Sequence, residues 1–224
     1  MIAAFILANA LGMTGVPVKP VLPPTQGQLA DQERFKACAQ MVEDDPENAY
    51  EQAKAWEHET RAPEASRCAA LAMIARGDPE IGARQLEALA QSKGAIDTAT
   101  RAGMLIEAGN AFMLAHKPLD AVLALNGALK LAPRTPDTLI DRARAYGLGQ
   151  QWRLAEDDLN IALDIRPRDS YALALRAEAR LRQNVLDLAL KDAEAALTLE
   201  PKNEIALLVR GQTIEAKRKA KPEG

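Results

Sequence analysis

Apolar side chains recur along this chain at helical spacing, and from residue 102 onward the helical pattern itself recurs every 34 residues. Three segments show it: ALKLAPRTPDTLIDRARA from Ala128, ALDIRPRDSYALALRAEA from Ala162 and ALTLEPKNEIALLVRGQT from Ala196. Pro133, Pro167 and Pro201 keep the interval, as do Leu129, Leu163 and Leu197, and Ala121, Ala155 and Ala189. A unit of this length and periodicity predicts two antiparallel helices joined by a tight turn. One such hairpin cannot bury its apolar face alone, so neighbours stack. Small residues such as Ala121, Ala128, Ala155 and Ala162 stand where helices press together, and the proline ends each second helix. Thr135-Pro136-Asp137, Asp78-Pro79-Glu80 and Asp45-Pro46-Glu47 predict helix starts, each with a capping residue before a proline at the first helical position.

Upstream the pattern is weaker but persists. Residues 29–96 read as two degenerate hairpins, the first with Phe35–Met41, the turn Asp44-Asp45-Pro46, then Ala49, Ala53 and Trp56. The second runs through Ala65–Ile74, turns at Gly77-Asp78-Pro79, and returns through Leu86 and Leu89. A loop is expected at 97–101, three regular hairpins over 102–203, and one more first helix with a basic tail over 204–224. Residues 1–28 are set apart as an apolar leader followed by a proline-rich linker.

The regular part resembles the tetratricopeptide repeat family. Its first repeat carries Leu105, Ala108-Gly109, Phe112, Ala121, Leu125, Ala128 and Pro133. The second carries Leu139, Ala143, Tyr146, Ala155, Leu159, Ala162 and Pro167. The third keeps Leu173, Ala177, Ala189, Ala196 and Pro201, but has Arg180 where the family has an aromatic and Ala193 where it has a bulky residue. The resemblance implies an all-α, right-handed superhelical solenoid of antiparallel helix hairpins, with a C-terminal capping helix. It also implies a groove lined by the first helices, in which another protein or peptide segment binds. Carried onto this chain, the groove residues are Ile106, Asn110, Ile140, Arg144, Ala174 and Glu178: an apolar row (Ile106, Ile140, Ala174) beside a polar row (Asn110, Arg144, Glu178). A second reading has Arg144 and Glu178 simply pairing with each other across neighbouring helices.

Composition agrees with closely packed helices. The 224 residues are 48% hydrophobic but only 4% aromatic, with alanine and leucine prominent. The net charge of −3 does not favour a nucleic-acid partner, and the one dense basic cluster, Lys217, Arg218, Lys219 and Lys221, reads as a solvated tail. Catalytic signatures are lacking. His58 and His116 have no metal-ligand spacing, and there is no nucleophile elbow or phosphate-binding glycine loop. Glu43-Asp44-Asp45 reads as turn and cap chemistry, and Glu156-Asp157-Asp158 as a solvated helix face. The expectation is a non-catalytic interaction scaffold with no cofactor, metal or small-molecule substrate.

Residues 2–13, IAAFILANALGM, are too short for a stable membrane span but suit the apolar part of a signal peptide, with Ala8-Asn9-Ala10 as the cleavage motif. Export to the periplasm or outside the cell is expected, with a cytoplasmic, co-chaperone-like adaptor as the alternative. A third reading is an envelope structural component held at a membrane by an uncleaved leader. Cys38 and Cys68 lie on predicted helices of adjacent hairpins, and read either as a disulfide or as two buried thiols.

Overall fold

A computed structural model describes residues 25–92 and 96–220. Among these residues there are eleven α-helices and no strand. They run as α1 (Gln26–Asp44), α2 (Pro46–Thr60), α3 (Pro63–Ala75), α4 (Pro79–Gln91), α5 (Thr98–Leu114), α6 (Pro118–Leu131), α7 (Pro136–Leu148), α8 (Trp152–Ile165), α9 (Ser170–Arg182), α10 (Leu186–Leu199) and α11 (Glu204–Ala220). Each helix packs on its chain neighbour, and α5, α7, α9 and α11 also touch in turn. The result is a stack of five hairpins closed by a single helix. No described helix is long and apolar enough to cross a membrane. The expected leader falls outside the described residues, apart from Thr25–Gln28.

Local chemistry sets the element ends. Helix α1 starts inside the expected linker, because Thr25 and Gln28 form a reciprocal capping box that satisfies two otherwise orphaned amides. Helix α5 starts at Thr98, so 98–101 are its first turn and not a loop. The reason is Asp97, whose carboxylate accepts from the Thr100 amide at 2.9 Å and its hydroxyl at 2.6 Å. Arg101 then donates to the carbonyls of Ala90, Ser92 and Ile96, tying α5 to the end of α4. Of the three predicted caps, Asp45 bonds the Asn48 amide at 3.1 Å, whereas Asp78 and Thr135 make no side-chain cap. The Thr135 hydroxyl donates instead to the Ala132 carbonyl.

The turns inside the hairpins repeat as faithfully as the helices. His116, Gln150 and Asn184, each 34 residues apart, have φ of 55°, 56° and 60°. In every case the next amide reaches back across the turn at 2.8 Å: Lys117 to the Phe112 carbonyl, Gln151 to Tyr146, Val185 to Arg180. This left-handed closure satisfies the last carbonyls of the first helix and fixes the reversal. His116 is therefore a turn residue whose side chain is exposed.

Alanine dominates the core. Ala121, Ala155 and Ala189 are buried in successive second helices, as are Ala128, Ala162 and Ala196. The acidic run at 156–158 does not form a solvated face. Asp158 is buried and accepts both arms of Arg142 at 2.6 and 2.7 Å, while the same guanidinium donates to Asn126 on α6. One interval on, Arg176 grips Asp192 and donates to Asn160 in the same way. Arg180 does not leave a hole at the expected aromatic position. It bridges Glu156 at 2.7 Å and Asp192 at 2.6 Å, and Gln183 also donates to Glu156. Burial opposes ionisation of Glu156, but the Arg180 and Gln183 hydrogen bonds outweigh it and hold its carboxyl below the usual range.

At the N-terminal end, Cys38 on α1 and Cys68 on α3 are joined in a disulfide, with Cα atoms 6.2 Å apart. Closing a loop across a 30-residue separation restricts the unfolded chain, an effect of about 2–4 kcal/mol. Arg67 of α3 carries the connection onward: it stacks over the Phe35 ring at 4.6 Å and forms a bidentate ion pair with Glu107 of α5.

Replacing Ala155 by Phe should overpack the α7–α8 contact and lower stability by about 1–3 kcal/mol in urea unfolding; an unchanged midpoint would contradict the packing described. Asp158→Ala should cost about 3 kcal/mol or more, because it strands the Arg142 charge. The double variant Arg142→Leu/Asp158→Ala should recover most of that loss, since Ala108 and Ala124 already fill the equivalent places one repeat earlier.

Candidate functional site

The first helices α5, α7, α9 and α11 bring residues of four successive units to one cleft of about 320 Å³. Its lining keeps the repeat interval: Met113 with Gly147, Arg144 with Glu178, and Tyr171 with Ile205. Leu148, Leu175 and the ring of Trp152 complete it. Trp152 is the first residue of α8, delivered by the left-handed turn at Gln150. Its ring fits because position 147 is glycine; a Cβ there would lie 3.1 Å from the ring edge. Arg182 stacks over this indole at 5.5 Å. Leu148 is 51% and Tyr171 40% exposed, so the wall is both apolar and open to solvent.

Two charges of opposite sign stand over this wall. Arg144 pairs with Asp141 on its own helix at 2.9 Å, and Asp141 also accepts weakly from Asn110 at 3.4 Å. Glu178 lies 3.6 Å from Arg182, again on its own helix. Arg144 and Glu178 therefore do not pair with each other, and each is held only by a surface partner that solvent screens. A ligand group can displace such partners at small cost.

Of the six residues expected to line the groove, the cleft contains Arg144 and Glu178. Asn110 lies beside Asp141 rather than in the cleft. The expected apolar row does not form: Ala174 has no exposed surface, Ile140 is 5% exposed, and Ile106 is half-buried against the α5–α6 core. These side chains fill the seams between first helices, which leaves nothing of Ala174, and almost nothing of Ile140, for a ligand to touch. The apolar surface comes instead from the last turns of α5 and α7 and the first turns of α8, α9 and α11.

No protein-family model matches the sequence, and no curated protein matches it. Solved structures do. The first tetratricopeptide domain of Spaghetti (RPAP3), bound to the HSP90 peptide SRMEEVD, is 28% identical, with a TM-score of 0.52, over 56% of this chain and 99% of that one. The tetratricopeptide domain of Sgt2 from Aspergillus fumigatus is 26% identical with a TM-score of 0.52, over 58% and 92%. YrrB, described as a tetratricopeptide protein with an unusual peptide-binding site, shares the fold at a TM-score of 0.64 and 13% identity, over 84% and 98%. With the 34-residue hairpins, these likenesses decide the matter. The chain has the tetratricopeptide repeat fold.

Two features of this tetratricopeptide array escaped sequence reasoning. The Arg142–Asp158–Asn126 and Arg176–Asp192–Asn160 sets share the 34-residue interval, so their spacing was visible; only the habit of treating charged positions as solvent-facing hid them. Trp152 and Tyr171 gave no comparable signal, because neither recurs in the other repeats. A second cleft of about 400 Å³ lies between α2, α3 and α4. Its charges are already matched, Glu57 bonding both Lys54 and the Ser66 hydroxyl, and these bonds hold the Glu57 carboxyl below its usual range. Among the described residues no cluster of His, Cys, Asp and Glu suited to a metal ion is present.

Proposed function

We propose that this protein is a non-catalytic adaptor that holds a segment of another protein in the cleft formed by α5, α7, α9 and α11. The observation that carries the reading is the open apolar wall of Leu148, Trp152, Tyr171, Leu175 and Ile205 beneath two loosely held, opposite charges. Such a surface fits an extended or helical segment with one large apolar side chain, an acidic group for Arg144 and a basic or amide group for Glu178. The peptide bound to the Spaghetti domain, SRMEEVD, supports a peptide ligand as the class. Buried aromatic and aliphatic anchors supply most of the affinity at sites of this kind, with the charges setting orientation.

Leu148→Asp and Arg144→Glu should each lower capture of the native partner by about tenfold or more, roughly 1.4 kcal/mol, when wild type and variants are compared by affinity co-purification and titration. Circular dichroism should stay unchanged, because both side chains lie outside the core. Equal capture by all three proteins would remove the cleft as the binding site.

We also propose that the protein works in an oxidising compartment, the periplasm or the cell exterior. The Cys38–Cys68 bond supports this, together with the apolar run at residues 2–13. Trapping native cell extracts with a maleimide before reduction should leave both sulfurs unlabelled and in the exported fraction. Full labelling in the cytosolic fraction would make this a cytoplasmic adaptor instead.

A further inference from the structure

Helix α11 occupies the place of a first helix. Its Leu207, Gly211 and Ile214 stand one interval beyond Leu173, Ala177 and Arg180, and three beyond Leu105, Gly109 and Phe112. In the complete hairpins this stripe faces the second helix of its own repeat. Leu105, Leu139 and Leu173 are buried there, and Phe112 has no exposed surface. A Cβ built on Gly109 would lie 2.6 Å from Leu125 of α6. Among the described residues no second helix follows α11. Leu207 and Ile214 are each 48% exposed, and nothing lies within 4 Å of a Cβ built on Gly211. The opposite side of α11, with Ala206, Val209 and Thr213, is the one that docks on α9 and α10.

The stripe extends to both ends of the helix. Glu204, Leu207, Gly211, Ile214 and Arg218 follow one another at steps of three and four residues, the spacing of a helix–helix seam. About Gly211 the pattern is nearly symmetric in size, with Leu207 four residues before and Ile214 three after, and opposite in charge. A large aliphatic stands on either side, then an acid seven residues before and a base seven residues after. Such a helix is complementary to an antiparallel copy of itself. With a two-fold axis beside Gly211, Leu207 comes within one residue of the level of the partner's Ile214, and the glycines let the backbones approach. Glu204 then faces the partner's Arg218, and symmetry supplies each contact twice. Arg218 already reaches Glu215 on its own helix at 2.9 Å, but its side chain is 77% exposed and open to a second carboxylate.

We infer that the α11 stripe is a self-association surface, and that its occupant is the same stripe of a second copy of this chain, packed antiparallel. An unrelated helix would need the apolar step but not the acid and base placed evenly about a central glycine. The inference does not rest on the groove reading, since Leu207, Gly211 and Ile214 are not among the residues lining the cleft. Seventeen residues give a contact about 25 Å long, at the small end of stable interfaces, so the dimer should dissociate on dilution.

The test is the mass of the full chain in solution, by sedimentation and light scattering between about 1 µM and 1 mM. The wild type should rise from 24.2 kDa towards twice that value. Gly211→Glu should stay at the single-chain mass throughout while keeping a folded, helical circular dichroism spectrum, because the position is open in the monomer. Glu204→Arg and Arg218→Glu should each move the midpoint to about tenfold higher concentration or more, and the double variant Glu204→Arg/Arg218→Glu should bring it back. A wild type of single-chain mass at every concentration overturns the inference and leaves the stripe to a helix of another protein. A dimer that survives Gly211→Glu, or a double variant that fails to recover, overturns it equally.

Discussion

Close approach of helix backbones at alanine positions is the constraint on which this molecule depends. Buried alanines such as Ala121, Ala155 and Ala189, or Ala128, Ala162 and Ala196, contribute little apolar area each. Their value lies in size: a methyl group lets the two helices of a hairpin, and the next hairpin beyond, pack at short distance. Every later feature inherits that geometry. The left-handed turns at His116, Gln150 and Asn184 close at one fixed span because the helices they join are equally spaced. The cleft has its width because α7, α9 and α11 sit side by side at the same interval.

Against this small-residue core, the polar interior of the last repeats has a distinct role. Arg142 and Arg176 each touch three helices, the one before, their own and the one after. Alanine contacts are nearly featureless and tolerate sliding. A guanidinium held on two sides of a carboxylate and by a neighbouring amide does not. The ladder thus fixes the rotation of each hairpin on the last, which in turn fixes where Arg144 and Glu178 stand relative to the Trp152 ring. Repeat and groove are coupled through residues that never reach the groove.

Much of the fold was legible because it is periodic. The hairpins, their turns and the single helix at 204–220 follow from intervals of 34 and of three to four, which local chemistry and stacking obey together. What local chemistry decides without periodicity was read less well. The Thr25–Gln28 box and the Asp97 cap each lengthened a helix beyond its expected start. In the groove, repeat position put Arg144 and Glu178 on the first-helix face, and both line the cleft described above. It failed for Ile140 and Ala174, since whether a first-helix side chain faces a ligand or fills the seam depends on the size of its neighbours. The Trp152 ring fills the space vacated at Gly147, a pairing that only three-dimensional packing reveals.

The Arg–Asp–Asn ladder has a consequence for how such a molecule can grow. Asn126 and Asn160 each accept from the arginine of the following step, so a tandem copy inserted after Asn160 would arrive with its own complete set of donors and acceptors. Duplication would lengthen the array without stranding a charge. One step upstream the same positions hold Ala108 and Ala124, which accept neither end of the ladder. Lengthening by polar matching is therefore possible only on the C-terminal side of that junction, while on the N-terminal side Ala108 and Ala124 offer only apolar contacts.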